Sequence, residues 1–146
     1  MPIPANMVLA VGQVIMCDFG PDPATVGAQG IRVGPLAVKP EIWKQRHSVV
    51  ISGRYGMTTV VPMSTDVPTK IEKFHYKIAA GKYAFLKPDE DSWVKADLIE
   101  SVSHQRLERP LLRGRFATVH LDAGDQEAVR KAVLHALKLG YLTEHV

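Results

Sequence analysis

Hydrophobic and polar residues alternate in short runs along most of the chain, and such alternation is typical of β-strands. The pattern predicts six strands, over Gly12–Phe19, His47–Ser52, Met57–Met63, Phe74–Ala79, Trp93–Ile99 and Phe116–Leu121. The second and third strands are separated only by Gly53–Gly56, so we expect them to form an antiparallel hairpin. Pro62 places the end of the third strand at an edge or a bulge, because proline cannot donate a backbone hydrogen bond.

One segment near the C-terminus has helical spacing instead. We predict a helix over Ala123–Leu139, with Asp122 as its N-cap and Gly140 just beyond its last turn. The apolar stripe that faces the sheet is expected to contain Val129, Val133, Ala136 and Leu137. Strands followed by one helix indicate an α+β domain, mainly β, with a small and strongly bent antiparallel sheet.

The segment Gly20–Gln45 has no periodicity and contains four glycines and four prolines. A connection of this length inside a compact domain is usually functional or disordered. A short helical turn is expected at Pro40–Gln45, where proline can occupy the first turn. We therefore expect a single domain over residues 1–146 with a long loop at 20–45.

The composition and charge of the chain exclude several classes of protein. Of 146 residues, 46% are hydrophobic and 23% charged, which is ordinary for a globular domain, and the net charge of +3 gives a mild preference for anionic partners. A lone Cys17 excludes a disulfide framework and is expected to be a small core residue. No apolar run approaches the ~20 residues of a membrane helix. The short apolar run Met7–Val11 lacks a preceding cationic stretch, so we expect no secretory signal and a cytoplasmic location.

Metal and nucleotide-phosphate motifs are missing from the sequence. The six histidines are scattered singly, without the spacing of a zinc site, and no glycine-rich phosphate loop follows a strand. The remaining candidates are polar residues at strand ends. The predicted hairpin brings Arg46 beside Ser64 and Thr65, and a guanidinium beside two hydroxyls suits a tetrahedral anion. The alternative is that Arg46 is an ordinary surface charge and that Ser64 and Thr65 are ordinary turn residues.

A second pair of polar residues lies in the predicted strand Trp93–Ile99. Lys95 and Asp97 share one face of that strand and form a candidate base and acid, or alternatively a cross-strand salt bridge. Spacing alone therefore predicts a candidate anion site and no particular reaction.

Three blocks of the chain together resemble the PemK/MazF family of toxin ribonucleases. GQVIMCDFGP (Gly12–Pro21) resembles the opening strand of the family. RHSVVIS and TTVVPMST, within Arg46–Thr65, resemble its arginine-containing strand and the end of the strand that follows. VKADLIESVSHQRL (Val94–Leu107) resembles its Ala-Asp segment. The blocks occur in the family's order, and the likeness extends from Gly12 to about Leu139.

This resemblance implies a compact SH3-like barrel with a C-terminal helix, assembled as a homodimer. It implies a metal-independent endoribonuclease toxin of a type II toxin–antitoxin system, which needs no cofactor and is bound by an antitoxin protein. Such an enzyme cleaves single-stranded RNA, often mRNA, through a 2′,3′-cyclic phosphate. The competing hypothesis is a non-catalytic module on the same barrel that binds protein or nucleic acid.

The resemblance also implies roles for individual residues. Arg46 matches the family arginine that would stabilise the phosphorane, and Ser64 matches a threonine that binds the scissile phosphate. Lys95 and Asp97 match an Arg-x-Asp pair that serves as acid and base in some members. Further contacts to RNA are expected from Thr65, His47 and Lys44.

The chain also departs from the family pattern. Ser64 and Lys95 replace the usual threonine and arginine, Gln13 replaces an acidic residue, and the second strand lacks the expected proline. The loop at 20–45 is longer than usual, so altered specificity or lost activity is a further expectation.

Overall fold

The computed structural model describes residues 3–21 and 42–146. Within these ranges the chain forms ten strands, one α-helix and three short 3₁₀ helices. The strands are β1 Gln13–Asp18, β2 Gln45–Gly53, β3 Met57–Ser64, β4 His75–Ile78, β5 Ser92–Lys95, β6 Glu100–Ser103, β7 Leu107–Glu108, β8 Leu111–Leu112, β9 Arg115–Phe116 and β10 Val119–His120. The helix α1 covers Ala123–Ala136, and the 3₁₀ helices cover Ala96–Leu98, His104–Arg106 and Gly140–His145.

Eight of the strands form one antiparallel sheet in the order β10-β1-β2-β3-β5-β4, to which β6 is added beside β3 and β7 beside β1. The ends of this path, β10 and β4, are not paired with each other, so the described sheet is coiled without closing completely. Strands β8 and β9 form a separate two-stranded hairpin. The predicted fold class, mainly antiparallel strands with a C-terminal helix, is confirmed.

Strand β3 changes its outer partner halfway along. Met57–Val60 pairs with β6, whereas Met63–Ser64 pairs with β5. Pro62 lies between these two ladders, where a missing backbone N–H disturbs neither. This change of partner bends the sheet and brings the end of β3 against β5.

The two faces of the sheet carry separate apolar clusters, because neighbouring strand residues point to opposite faces. Val49 and Val61 belong to the cluster covered by Val129 and Val133 of α1. The cluster on the opposite face consists of Ile15, Cys17, Val50, Val60 and Leu107, covered by Ile3, Leu9, Phe19 and Ile42. As expected, Cys17 is a buried core residue, and burial raises the pKa of its thiol to about 12.

Helix α1 begins as predicted and ends earlier. The Asp122 carboxylate accepts a hydrogen bond from the backbone N–H of Asp125, which is an N-cap. The predicted end at Leu139 is wrong, because the helix stops at Ala136 and Lys138 adopts a φ of 62°. Gly140 instead starts a 3₁₀ helix. Leu137, expected in the buried stripe, is 54% exposed.

Several predicted strand boundaries are also wrong. The strand predicted over Trp93–Ile99 ends at Lys95, and Ala96–Leu98 turns into a 3₁₀ helix. Phe116–Leu121 is divided between β9 and β10, and β6, β7 and β8 were not predicted. The helical turn expected at Pro40–Gln45 is not formed by residues 42–45, the last of which begins β2. Residues 22–41, most of the long loop, lie outside the described residues. None of the helices in the described ranges has the length and apolar composition needed to cross a membrane.

Candidate functional site

The β2–β3 hairpin brings Arg46 and Ser64 together, as the sequence predicted. Ser48 of β2 pairs with Pro62 of β3, so the same register brings the start of β2 beside the end of β3. The Arg46 Nη1 donates a hydrogen bond to the Ser64 Oγ at 3.1 Å, and both side chains are buried. The two residues therefore form one polar unit at the end of the hairpin.

The guanidinium of Arg46 is held in place by hydrogen bonds from only some of its N–H groups. Its Nε donates to the Trp43 backbone oxygen at 3.0 Å, so two of its N–H groups have protein acceptors among the described residues. A guanidinium carries five N–H donors in a fixed fork. Burial lowers the pKa of Arg46, and the nearby Asp66 carboxylate opposes this shift. Anchoring at two points fixes the fork, and the other donors, which have no acceptor in the described part of the chain, can bind a ligand.

The hydroxyl of Ser64 is similarly oriented by its neighbours. Its oxygen accepts a hydrogen bond from Arg46 and a second one from the Asp66 backbone N–H at 3.1 Å. A hydroxyl oxygen has two acceptor sites and one O–H donor. Since both acceptor sites are used, Ser64 can offer its O–H to an incoming acceptor such as a phosphate oxygen.

Arg46 and Ser64 lie in a pocket of about 240 Å³. Three cationic side chains line it, Lys44, Arg46 and Lys87, and none of its described lining residues is acidic. Lys87 also pairs with Glu90 at the surface, at 3.1 Å. We call this the Arg46 pocket. Its charge and its hydroxyl groups suit a phosphate group.

Five of the residues singled out from the sequence line this pocket: Lys44, Arg46, His47, Ser64 and Thr65. Sequence reasoning missed Leu86, Lys87 and Ser92, which come from β5 and from the segment before it. No local pattern marks Leu86 and Lys87, because only the folding of residues 79–91 over the sheet brings them to the pocket.

His47 follows Arg46 directly and lines the same pocket. Burial lowers the pKa of His47, and a hydrogen bond with the Phe85 backbone acts in the opposite direction. The imidazole lies 6.4 Å from the Phe85 ring, centroid to centroid. A histidine whose pKa is below its usual value carries a neutral ring at neutral pH, and such a ring can accept a proton.

The other two candidate catalytic residues, Lys95 and Asp97, do not line the Arg46 pocket. Trp93 is the partner of Ser64, and Lys95 is the partner of His75, so Lys95 lies beyond Trp93 on the same face. Asp97 lies in the 3₁₀ helix, with its carboxylate 4.0 Å from the His75 Nε2. Strand alternation ends before Asp97, and the predicted shared strand face is wrong for this residue.

A second polar cluster, not predicted, holds residues 79–91 in place. Asp125 is only 2% exposed, and its two carboxylate oxygens accept hydrogen bonds from the hydroxyls of Tyr76 and Tyr83, both at 2.5 Å. The Lys82 Nζ lies 2.7 Å from the same carboxylate and 3.0 Å from that of Asp122. We call these residues the Asp125 cluster. It connects α1 to the segment that supplies Leu86 and Lys87.

No group of three or more His, Cys, Asp or Glu side chains that could hold a metal ion occurs in residues 3–21 and 42–146. The cationic side chains in the described lining of the Arg46 pocket are those of Arg46, Lys44 and Lys87.

Comparison with known proteins relates the chain to one family. The model of the family described as PemK-like, MazF-like toxin of type II toxin–antitoxin system matches residues 10–137. An uncharacterized protein of Haemophilus influenzae is 27% identical over 139 residues, which cover 92% of this chain and 93% of that protein.

Two solved structures share the fold. The crystal structure of MazF from Deinococcus radiodurans has a TM-score of 0.60 at 18% identity and covers 90% of this chain and 98% of its own. A mycobacterial endoribonuclease in complex with its cognate antitoxin has a TM-score of 0.56 at 17% identity and covers 90% and 96%.

Proposed function

The chain belongs to the PemK-like, MazF-like toxins of type II toxin–antitoxin systems, and from this membership we propose that it is an endoribonuclease that cleaves single-stranded RNA without a metal ion. The observation that carries the proposal is the Arg46–Ser64 pair, held in a pocket with two further cationic side chains. The fold alone would not suffice, because one fold can support several functions.

The proposed reaction is an attack of a ribose 2′-hydroxyl on the adjacent phosphorus, which releases the 5′-oxygen and leaves a 2′,3′-cyclic phosphate. The free N–H groups of Arg46 would stabilise the charge that develops on the phosphorane oxygens. The Ser64 hydroxyl would donate to the same phosphate. Lys44 and Thr65, which line the same pocket, would contact neighbouring parts of the RNA.

Proton transfer needs a base for the 2′-hydroxyl and an acid for the leaving oxygen. The resemblance assigns these roles to Asp97 and Lys95, both of which lie outside the Arg46 pocket. The geometry favours His47, which lines that pocket and whose pKa is lowered by burial. We propose that His47 accepts the proton of the 2′-hydroxyl, that a solvent water protonates the leaving 5′-oxygen, and that Lys95 and Asp97 contact the RNA further along the same face.

We also propose the setting in which this enzyme acts. A type II toxin is neutralised by a protein antitoxin, and one of the structural neighbours is bound to its cognate antitoxin. We propose the same control for this chain, as a single-domain homodimer in the cytoplasm.

The proposal is tested by incubating the purified protein with a long single-stranded RNA in EDTA and mapping the cut ends. We expect 5′-hydroxyl and 2′,3′-cyclic phosphate ends, and no cutting of a DNA of the same sequence, which lacks the nucleophile. Cleavage that EDTA abolishes, or cleavage of the DNA, would contradict the mechanism. Binding of RNA without any cleavage would support the non-catalytic module instead.

A further inference from the structure

A second pocket, of about 300 Å³, adjoins the Arg46 pocket. The two share the lining residues Met16, Gln45 and His47, so they adjoin at the start of β2. Phe85 and Phe116 lie in the lining of the second pocket only, and we call it the Phe85–Phe116 pocket.

The two pockets differ in charge. Glu108 and Arg109, of opposite sign, line the Phe85–Phe116 pocket, whereas the Arg46 pocket has three cations and no described acidic lining residue. The Glu108 carboxylate accepts a hydrogen bond from the Gln45 Nε2 at 2.7 Å. Because the described wall of this pocket carries one carboxylate and one guanidinium, it lacks the excess of cations that attracts a phosphate to the Arg46 pocket, and it suits an uncharged group.

The walls of this pocket are aromatic and partly exposed. Phe116 is 52% exposed and Leu111 is 57% exposed, and these two residues are cross-strand partners on the β8–β9 hairpin. That hairpin is separate from the main sheet, and its turn contains Arg113 and Gly114, both with positive φ. The tight turn therefore holds Leu111 and Phe116 side by side at the pocket. Both side chains remain more than half exposed there.

The rim of the pocket supplies hydrogen-bonding groups. Arg109 is fixed through its Nε, which donates to the Thr118 hydroxyl at 3.3 Å. Gln45 uses its amide nitrogen on Glu108 and retains an amide oxygen that can accept a hydrogen bond. Amide and guanidinium groups of this kind can read the edge of a nucleobase.

We propose that the Phe85–Phe116 pocket binds one nucleobase of the RNA, next to the phosphate held at Arg46, and so determines the sequence at which the chain cuts. The inference rests on the proposed function. A nucleotide joins an anionic phosphate to a flat, uncharged aromatic ring, and the two adjoining pockets match these two parts in the same order. A nucleobase stacks on aromatic side chains, and a pocket of this volume accepts a single base.

The first experiment compares the cleavage-site preferences of the wild type, Phe116→Ala and Tyr55→Ala on one long RNA. Tyr55 is a matched control, because it is 75% exposed in the β2–β3 turn and lines neither pocket. Since stacking of one base is worth about 1–3 kcal/mol, we expect Phe116→Ala to slow cutting at the preferred sites at least about 5-fold. Cutting at other sites should continue, so that the preference relaxes, and Tyr55→Ala should keep the wild-type pattern.

A second measurement does not depend on cleavage. Short 2′-deoxy oligonucleotides that cannot be cut are compared with versions that lack one base, position by position. The wild type should bind one abasic version at least about 5-fold more weakly, and Phe116→Ala should not distinguish the two. Phe116→Leu retains an apolar side chain without a ring and should behave like Phe116→Ala.

The outcomes are separable. Wild-type protein that cuts no RNA would refute the proposed function, while the abasic comparison would still test the pocket. Identical site preferences, or identical discrimination of abasic oligonucleotides, in the wild type and Phe116→Ala would overturn the nucleobase proposal. Loss of dimerisation or of antitoxin binding in Phe116→Ala with an unchanged RNA preference would also overturn it, because the pocket would then be a protein interface.

Discussion

Arg46 and Asp125 are both buried charged side chains, 9% and 2% exposed, but their surroundings differ. Every oxygen of the Asp125 carboxylate has a protein partner, from Tyr76, Tyr83 and Lys82. Within residues 3–21 and 42–146, Arg46 has two acceptors, Trp43 and Ser64, for five donors. Every oxygen of the Asp125 carboxylate is therefore hydrogen-bonded within the protein, whereas three donors of Arg46 have no acceptor in these ranges.

This difference separates a structural charge from a functional one. When a buried charge has all its partners, removal of one member is costly, because the remaining members lose their partner in the interior. A buried charge with unused donors is available to a ligand, and its loss should be measured in binding and rate. The comparison predicts opposite consequences for substitutions at the two sites.

The largest change in stability is expected at Asp125. Replacing it with alanine leaves Tyr76 and Tyr83 without their acceptor and Lys82 without a close counter-ion, so the free energy of unfolding should fall by about 3 kcal/mol. Urea denaturation measures this loss. Glu127→Ala is the control, because its ion pair with Lys131 is exposed and should contribute little to stability. Equal losses in the two variants would contradict a structural role for Asp125.

The Asp125 cluster should also limit the pH range of stability. Burial raises the pKa of Asp125, but hydrogen bonds from Lys82, Tyr76 and Tyr83 outweigh it, so the net pKa is lowered from 3.8. The stabilisation by the Asp125 carboxylate is therefore complete above pH 3.8. It is lost as the pH falls through the lower pKa of Asp125 in the folded state. Burial and the hydrogen bond to Asp125 raise the pKa of Tyr76 from 10.0 to about 12, so its contribution is present below 10.0 and is lost towards 12.

Denaturation midpoints measured across the pH range check this expectation. The difference in stability between the wild type and Asp125→Asn should be largest between pH 3.8 and 10.0 and should shrink on both sides. A difference that is constant with pH would show that the cluster does not titrate with folding.

At the Arg46 pocket, Ser64→Ala should reduce the cleavage rate by roughly 10-fold, because it removes one donor to the phosphate and one anchor of the guanidinium. Ser64→Thr keeps the hydroxyl and should retain most of the rate. Ser101→Ala is the control, as Ser101 bonds to Thr59 on the surface and lines neither pocket. A rate for Ser64→Ala equal to that of Ser101→Ala would remove the hydroxyl from the site.

The smallest effect is expected at Lys44, whose φ of 61° is strained for a residue with a side chain. Lys44→Gly should raise the free energy of unfolding by about 0.5–1 kcal/mol. It should also weaken RNA binding, and the slope of log affinity against log salt concentration should fall by about the amount of one phosphate contact. Lys138→Gly is a close control, because Lys138 has a φ of 62° and lines neither pocket. It should raise stability similarly and leave RNA binding unchanged. Equal RNA affinities in the two variants would contradict a role for Lys44 at the pocket.

The sequence predicted the parts of the molecule that depend on local pattern. Alternation located β1 and the β2–β3 hairpin, and the hairpin by itself placed Arg46 beside Ser64. Residues that depend on long-range folding were not predictable. Leu86 and Lys87 reach the Arg46 pocket only because Asp125, about 40 residues later, holds the segment that carries them, and an acidic residue in the first turn of a helix is ordinarily read as a solvated charge. Asp97 was misplaced because strand alternation cannot show where a strand changes into a 3₁₀ helix.

The most direct test of the account is Arg46→Ala, with cleavage of single-stranded RNA in EDTA and urea denaturation measured on the same preparation. We predict that cleavage falls at least ~100-fold, since loss of one preorganised donor typically costs 10²–10³ in rate, while the free energy of unfolding changes by less than about 1 kcal/mol. Cleavage at the wild-type rate, or a loss of cleavage that merely follows unfolding of the protein, would contradict the assignment of Arg46 as the functional charge.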